Sequence, residues 1–343
     1  MQPSEISTVC RDIQVLRREL KFIVGLKNKI TNASMAELRS SLGYRSDMGE
    51  RQRAGLVAES AELFGKYLRL HAYAAKQVRE AAPGDKKRGV RAPSFTDRET
   101  DIIAMSRHML EVAATALEPV HAREKLLEEQ ITALASNLPV AEWWTGLRGC
   151  TAFNLGVLIG ETGNLSNYPS PRHVWSRLGL APFEKNGTSQ ALSVWRRAGG
   201  LSAKEWKAHP YNPQRLATVH GYVLAAFAMQ QGTEEKGTAT KYRMLYSDYK
   251  ARQKELNEAG AYFALAEEKA KKFEKAGLAV AAALKKGRLT DGHIESRARR
   301  YMIKCLISDL WSEWRGSAVG VETREPLDPS DNSADDRPAA DAA

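Results

Sequence analysis

The polar loop from Glu184 to Gln190 carries Thr188 and Ser189, with Lys185 before them and the basic run Trp195-Arg196-Arg197 after them. A serine hydroxyl becomes a nucleophile only beside a base or in a charged neighbourhood. Lys185, Arg196 and Arg197 offer the second and not the first. Cations already in place can stabilise charge that develops on phosphoryl oxygens. Ser189 and Ser193 are the serines in this neighbourhood. An ordinary turn hydroxyl is the competing reading of Ser189.

Metal-assisted chemistry finds no ligand set. It needs carboxylates converging on a rigid scaffold. The acids before Leu147, such as Glu59, Glu62, Asp101 and Glu111, fall in helical periods and read as solvated faces. His293 and Glu295 sit two apart, so on a helix they diverge. Cys10, Cys150 and Cys305 are odd in number and far apart, with neither zinc spacing nor a disulfide framework. No metal site and no cofactor is identified, and magnesium would enter only if an acidic site were supplied elsewhere.

Groups that could bind phosphate are more frequent. Leu147-Arg148-Gly149-Cys150-Thr151 reads as a tight turn after an apolar approach, with Gly149 suited to positive φ or close approach. A small-residue helix follows from about Ala152 to Glu161. Ser170 and Pro171 then read as N-cap and first residue of a helix that stops at Gly179. Arg297, Arg300 and Lys304 lie three and four apart and share a helix face. Tyr242, Tyr246 and Tyr249 stand among Lys and Arg, an arrangement that can stack bases, although their spacing favours one buried helix face.

The layout from Leu147 to Gly179 resembles a helix-hairpin-helix element, whose turn amides and helix N-terminus are ready donors for phosphate. The string of parts is similar to the C-terminal domain of the insertion-sequence 110, 116 and 902 family of transposases. The matching residues are Leu147-Arg148-Gly149, Gly163-Asn164, Tyr168-Pro169-Ser170-Pro171 and Leu178-Gly179-Leu180-Ala181-Pro182, within a stretch ending near Leu201. Thr151 replaces the second Gly of the family's turn. The resemblance implies DNA as partner, structured RNA as a further candidate, and a serine nucleophile in the loop after Pro182. Register from Pro182 puts Asn186 and Gly187 where the family's serines fall, and Ser189 comes closest after them. The family's complete members also carry an acidic RNase-H-like domain, and no strand with an embedded Asp precedes Leu147. Catalysis is therefore expected to be degenerate unless acids come from elsewhere.

The elements that must position these residues read as helices. Apolar periods mark helices over 9–30 and 51–81, followed by a linker over 83–94 with Lys86, Lys87, Arg88 and Arg91. Thr96 and Glu99 form a capping box, Pro119 is expected to interrupt the helix it opens, and 120–138 has near-heptad leucines that suit a short coiled coil. After the loop, Leu201-Ser202-Ala203-Lys204-Glu205-Trp206 looks like a capped helix start. Further helices are expected over 216–229, from 241, over 262–286 with a weak break at Gly277, and from Thr290 through Trp314.

Composition agrees with a polyanion partner. The 343 residues hold 51 Lys and Arg against 41 Asp and Glu, a formal +10. From Glu322 onward there are seven acids and two arginines, so the body before them carries +15. No run approaches eighteen apolar residues and no secretory core opens the chain, which points to a cytoplasmic protein with no membrane partner.

The expected fold is mainly α, with a helical N-terminal region (1–82), the linker (83–94), a helical lead-in (95–140), a transposase-like DNA-binding domain with long C-terminal helices (141–316) and a disordered acidic tail (317–343). The expected DNA-binding residues are Gly149, Thr151, Lys185, Arg196, Arg197, Arg297, Arg300 and Lys304, in a homo-oligomer acting in transposition or site-specific recombination. The alternative is a non-catalytic helical interaction protein of a mobile element.

Overall fold

The computed structural model describes residues 2–80, 92–185, 188–191, 213–275, 277 and 279–319. Among these the fold is mainly α, as the apolar periods require, with one antiparallel hairpin of two short strands. The helices are α1 (Pro3–Ser41), α2 (Glu50–Glu80), α3 (Asp97–Met105), α4 (Arg107–Ser136), α5 (Ala141–Thr145), α6 (Ala152–Thr162) and α7 (Pro171–Leu178). The hairpin β1 (Pro182–Lys185) and β2 (Thr188–Ala191) follows. Then come α8 (Pro213–Val219), a π-helical turn (His220–Leu224), α9 (Ala225–Met229), α10 (Lys241–Glu258), α11 (Phe263–Lys275), α12 (Ala282–Lys285) and α13 (Asp291–Val319). No helix among the described residues is long and apolar enough to cross a membrane.

The chain divides into two compact units, one made of Met1–Arg17 with Gln130–Ala343 and the other of Arg18–Glu129. The dividing points fall inside α1 and α4. A helix can serve two cores in succession, and composition carries no mark of that.

The Arg18–Glu129 unit is a helical bundle around Leu38, Leu63, Phe64, Ile102, Leu110 and Leu117. Lys27 to Glu124 at 2.5 Å and Arg123 to Glu19 at 2.6 Å tie α1 to α4. The capping box of Thr96 and Glu99 opens α3 as expected. The expected interruption at Pro119 does not occur: α4 runs through it, and the helical break falls at Ser106 instead. Proline removes one backbone donor within a helix. Leu117 and Val120, buried on either side of it, supply packing that holds the helix together.

In the other unit, α6, α7, α10 and α13 enclose a core that includes Trp144, Leu158, Val174, Phe227, Leu306 and Trp314. Gly156 and Gly160 let α6 pack closely against its neighbours. A Cβ on Gly156 would lie 2.4 Å from the Ile131 side chain, and one on Gly160 would lie 2.7 Å from Arg17. Bulk at either position would drive neighbouring elements apart. Tyr242 and Tyr246 are buried and Tyr249 half-buried, so the tyrosines of α10 form a core face, as their spacing favoured.

Candidate nucleic-acid interface

The joint at Gly149 is built from its own side chains. Gly149 has φ +79°, and a Cβ there would meet the Phe227 Cα at 2.9 Å and the Ala226 carbonyl at 3.1 Å. Its glycine is thus required by a close approach of α9 as well as by conformation. Thr151 caps α6 and forms a capping box with Asn154. Asn154 Nδ2 donates to the Gly149 carbonyl at 3.1 Å, and its Oδ1 accepts from the Thr151 amide at 2.8 Å. The Trp144 indole donates to the Thr151 carbonyl and to Asn154 Oδ1. Gln231 Nε2 donates to the Arg148 carbonyl, and an Arg148 guanidinium nitrogen donates to the Thr238 carbonyl. Many of the turn's polar groups are therefore spent inside the fold. Thr151 is exposed, so α6 starts at the surface.

α7 begins at Ser170 and Pro171 and ends at Gly179 with φ +77°, as its sequence indicates. The Ser170 hydroxyl pairs with His173 Nδ1 at 2.9 Å instead of capping the backbone. Arg172 and His173 are exposed on its first turn. The hairpin rises three residues after Gly179, with Glu184 opposite Ser189 and Lys185 opposite Thr188. The register thus brings Lys185 and Ser189 onto adjacent rungs. Of the other expected contacts and elements, Ser193, Arg196, Arg197, Asn186, Gly187, the basic residues of the 83–91 stretch, the helix start at 201–206 and the tail from 320 lie outside the described residues.

Behind α7 lies a buried ionic knot. Glu161, 4% exposed, faces Arg17 at 3.6 Å and Arg215 at 3.7 Å, while Arg177 donates to its backbone carbonyl. Burial, reinforced by Arg177, lowers the pKa of Arg215. Tyr168 donates to the Thr162 carbonyl at 2.7 Å, and burial raises its pKa. These contacts tie α1, α6, α7 and α8 together.

The third basic region is the start of α13. Arg300 is exposed, Arg297 half-buried and Lys304 buried. Lys304 turns inward because α7 covers that end of the face, and its ammonium stacks 5.2 Å from the Trp175 ring. Arg297 donates to Gln253 Oε1 at 2.8 Å and lies 4.8 Å over the Tyr262 ring. Sequence reading missed Lys269 of α11, which joins this group. Burial and the charges of Arg297, Lys272 and Arg300 push the Lys269 ammonium down to about 8. The spacing of His293, Arg297 and Arg300, four and three apart, was the available signal; their proximity to α11 requires tertiary structure.

Glu295 of α13 is held by cations. Glu295 would be raised by burial, but hydrogen bonds from Lys250 and Tyr246, with help from Arg299, pull it down to about 2. Among the described residues no three His, Cys, Asp or Glu side chains gather as a metal site would require. Cys10 and Cys150 are buried and pushed up to about 12, which makes them inert thiols. The described residues do not fit the metal ions of the transposase family's acidic domain.

Comparison with known proteins gives one partial likeness. Over 77 residues the chain is 35% identical to an insertion element IS110 uncharacterized 43.6 kDa protein of Streptomyces coelicolor. The matched stretch amounts to 22% of this chain and 19% of that protein. No family model matches the chain, and no solved structure matches it. The likeness relates the chain to insertion elements.

Proposed function

We propose that this protein binds DNA for a mobile insertion element, gripping the phosphate backbone through the first turn of α7, the β1–β2 hairpin and the start of α13. The observation that carries the reading is the helical joint itself. Turn, helix, Ser170–Pro171 helix start and Gly179 stop occur in the order that the resemblance implies, and a hairpin bearing Lys185 and Ser189 follows at once. The partial likeness to an insertion-element protein and the basic balance of the chain support it. Phosphate contacts position a protein on DNA without reading sequence, and each neutralised phosphate releases counterions.

The lineage proposed is that of transposases and serine-type recombinases, and Ser189 is its candidate nucleophile. The test combines binding and chemistry on full-length protein. Duplex DNA should bind with an affinity that falls steeply as salt rises, and Ser189→Ala should leave that affinity unchanged. Covalent protein–DNA adducts formed by the wild type and lost in Ser189→Ala would assign the nucleophile. Adducts that persist in Ser189→Ala remove Ser189 from the mechanism. A folded protein that binds no DNA at low salt removes the whole reading.

A further inference from the structure

The helical run from α8 to α9 contains one π-helical turn, His220–Leu224. The Ala225 amide donates to the His220 carbonyl, five residues back, so this turn holds one residue more than an α-helical turn. Such turns are uncommon and concentrate at functional sites. Here Val223 and Leu224 point into the core, while His220, Gly221 and Tyr222 are exposed together.

Tyr222 is 38% exposed, yet its ring is fixed from within. The Arg17 guanidinium lies over the ring, 5.1 Å from its centroid. The Phe153 ring of α6 meets it edge to face, with centroids 6.0 Å apart and planes at 76°. Arg17 is buried and cannot move aside. It faces Glu161 at 3.6 Å and fills the space beside Gly160, where a Cβ would lie 2.7 Å from its Cγ. A phenol held in this way before any ligand arrives loses little freedom when a flat partner settles on it.

The surroundings decide what kind of partner fits. A protein-docking tyrosine sits within a ring of other contacts that exclude water. Around Tyr222 the exposed neighbours on its own turn are His220 and Gly221, and a Cβ at Gly221 would meet nothing within 4 Å. An aromatic ring beside open space, on a chain with a formal charge of +10, suits a planar base carried on a phosphate backbone. Tyr222 also belongs to the same compact unit as the first turn of α7, where Arg172 and His173 are exposed, and α6 packs against both the π-helical turn and α7.

We propose that Tyr222, braced by Arg17 and Phe153, is a stacking platform for an unpaired DNA base. The proposal rests on the DNA-binding reading above and adds a preference that phosphate contacts cannot supply. Bases in a paired duplex are already stacked on one another, and drawing one out costs unstacking energy. A base that is unpaired beforehand avoids that cost, so the platform favours bulged or single-stranded DNA over a continuous duplex. Stacking involves no counterion release, so this preference should not depend on salt.

The experiment uses the full chain and three DNA probes: a paired duplex, the same duplex with one unpaired base, and a single strand. A 2-aminopurine at the unpaired position reports stacking through loss of its fluorescence. The wild type should bind the bulged probe about tenfold more tightly than the paired duplex and quench the 2-aminopurine. Tyr222→Leu keeps apolar bulk without the aromatic ring. It should lose the preference and the quenching while keeping the wild-type affinity and salt slope for the paired duplex, which also shows that it folds. Tyr222→Trp should restore both. Equal binding of paired and bulged probes by the wild type without quenching, or quenching that persists in Tyr222→Leu, overturns the platform and leaves the DNA-binding reading intact. A folded wild type that binds none of the three probes overturns both.

Discussion

The joint at Gly149 and the start of α13 were both expected to meet phosphate, and they are built in opposite ways. At the joint, Asn154, Trp144, Gln231 and Arg148 direct their hydrogen bonds to backbone groups or to one another. At α13, the charges of Arg297 and Arg300, with Lys272 of α11, act on the Lys269 ammonium and lower its pKa. The first region is closed by local complementarity, and its residues serve to hold α6 against α9. The second gathers cations from two helices, with Arg300 exposed among them. A turn with ready donors in sequence need not have them ready in structure.

The largest expected effect breaks the closed region. Gly149→Val must adopt positive φ and place its Cβ against the Phe227 backbone. The two costs together should destabilise the protein by roughly 3 kcal/mol or more, as urea unfolding would measure. DNA affinity of the remaining folded fraction should stay near wild type. Wild-type stability with lost DNA binding would reverse the roles assigned to the two regions.

Charge reversal comes next. Arg297→Glu with Arg300→Glu should weaken duplex binding by about tenfold or more near 50 mM salt and lower the salt slope by about two. Arg297 also anchors Gln253 and Tyr262, so Arg300→Glu alone is the cleaner probe. It should lower the slope by about one and leave the melting temperature unchanged.

A smaller effect concerns acid. Glu295 ties α13 to α10 and titrates near 2 in the fold instead of at its ordinary 4.5. Its contribution is present above 4.5 and is lost as pH falls from there toward 2. Glu295→Gln should destabilise the protein by about 1 kcal/mol at neutral pH and flatten the acid limb of its stability profile. An unchanged acid limb would show that this tie does not hold α13.

The smallest is Thr151→Ala. It removes the N-cap of α6 and should cost about 1 kcal/mol by thermal unfolding. DNA affinity should be unaffected, and a specific loss of binding would make the start of α6 a phosphate contact after all.

Much of the helical frame was legible in sequence because its signals are local. Apolar periods marked α1, α2 and α13, Thr96 with Glu99 marked the start of α3, and Ser170–Pro171 with Gly179 bracketed α7. Pro119 misled because tertiary packing on both sides outweighs one lost backbone bond. The inward turn of Lys304 depends on Trp175, 129 residues earlier in the chain, whose indole donates to the Lys304 carbonyl. Lys269 had no sequence mark as a site residue, since its neighbours come from another helix. Helical spacing grouped Arg297 with Arg300, but only the fold tells which cations converge.

On the function proposed above, the basic balance of the chain grips DNA phosphates. The most direct measurement is the affinity of the full-length protein for a DNA duplex as a function of salt. The logarithm of the association constant should fall linearly with the logarithm of salt concentration, with a slope corresponding to several phosphates. A folded sample that fails to bind at low salt, or binds with an affinity indifferent to salt, would contradict the account.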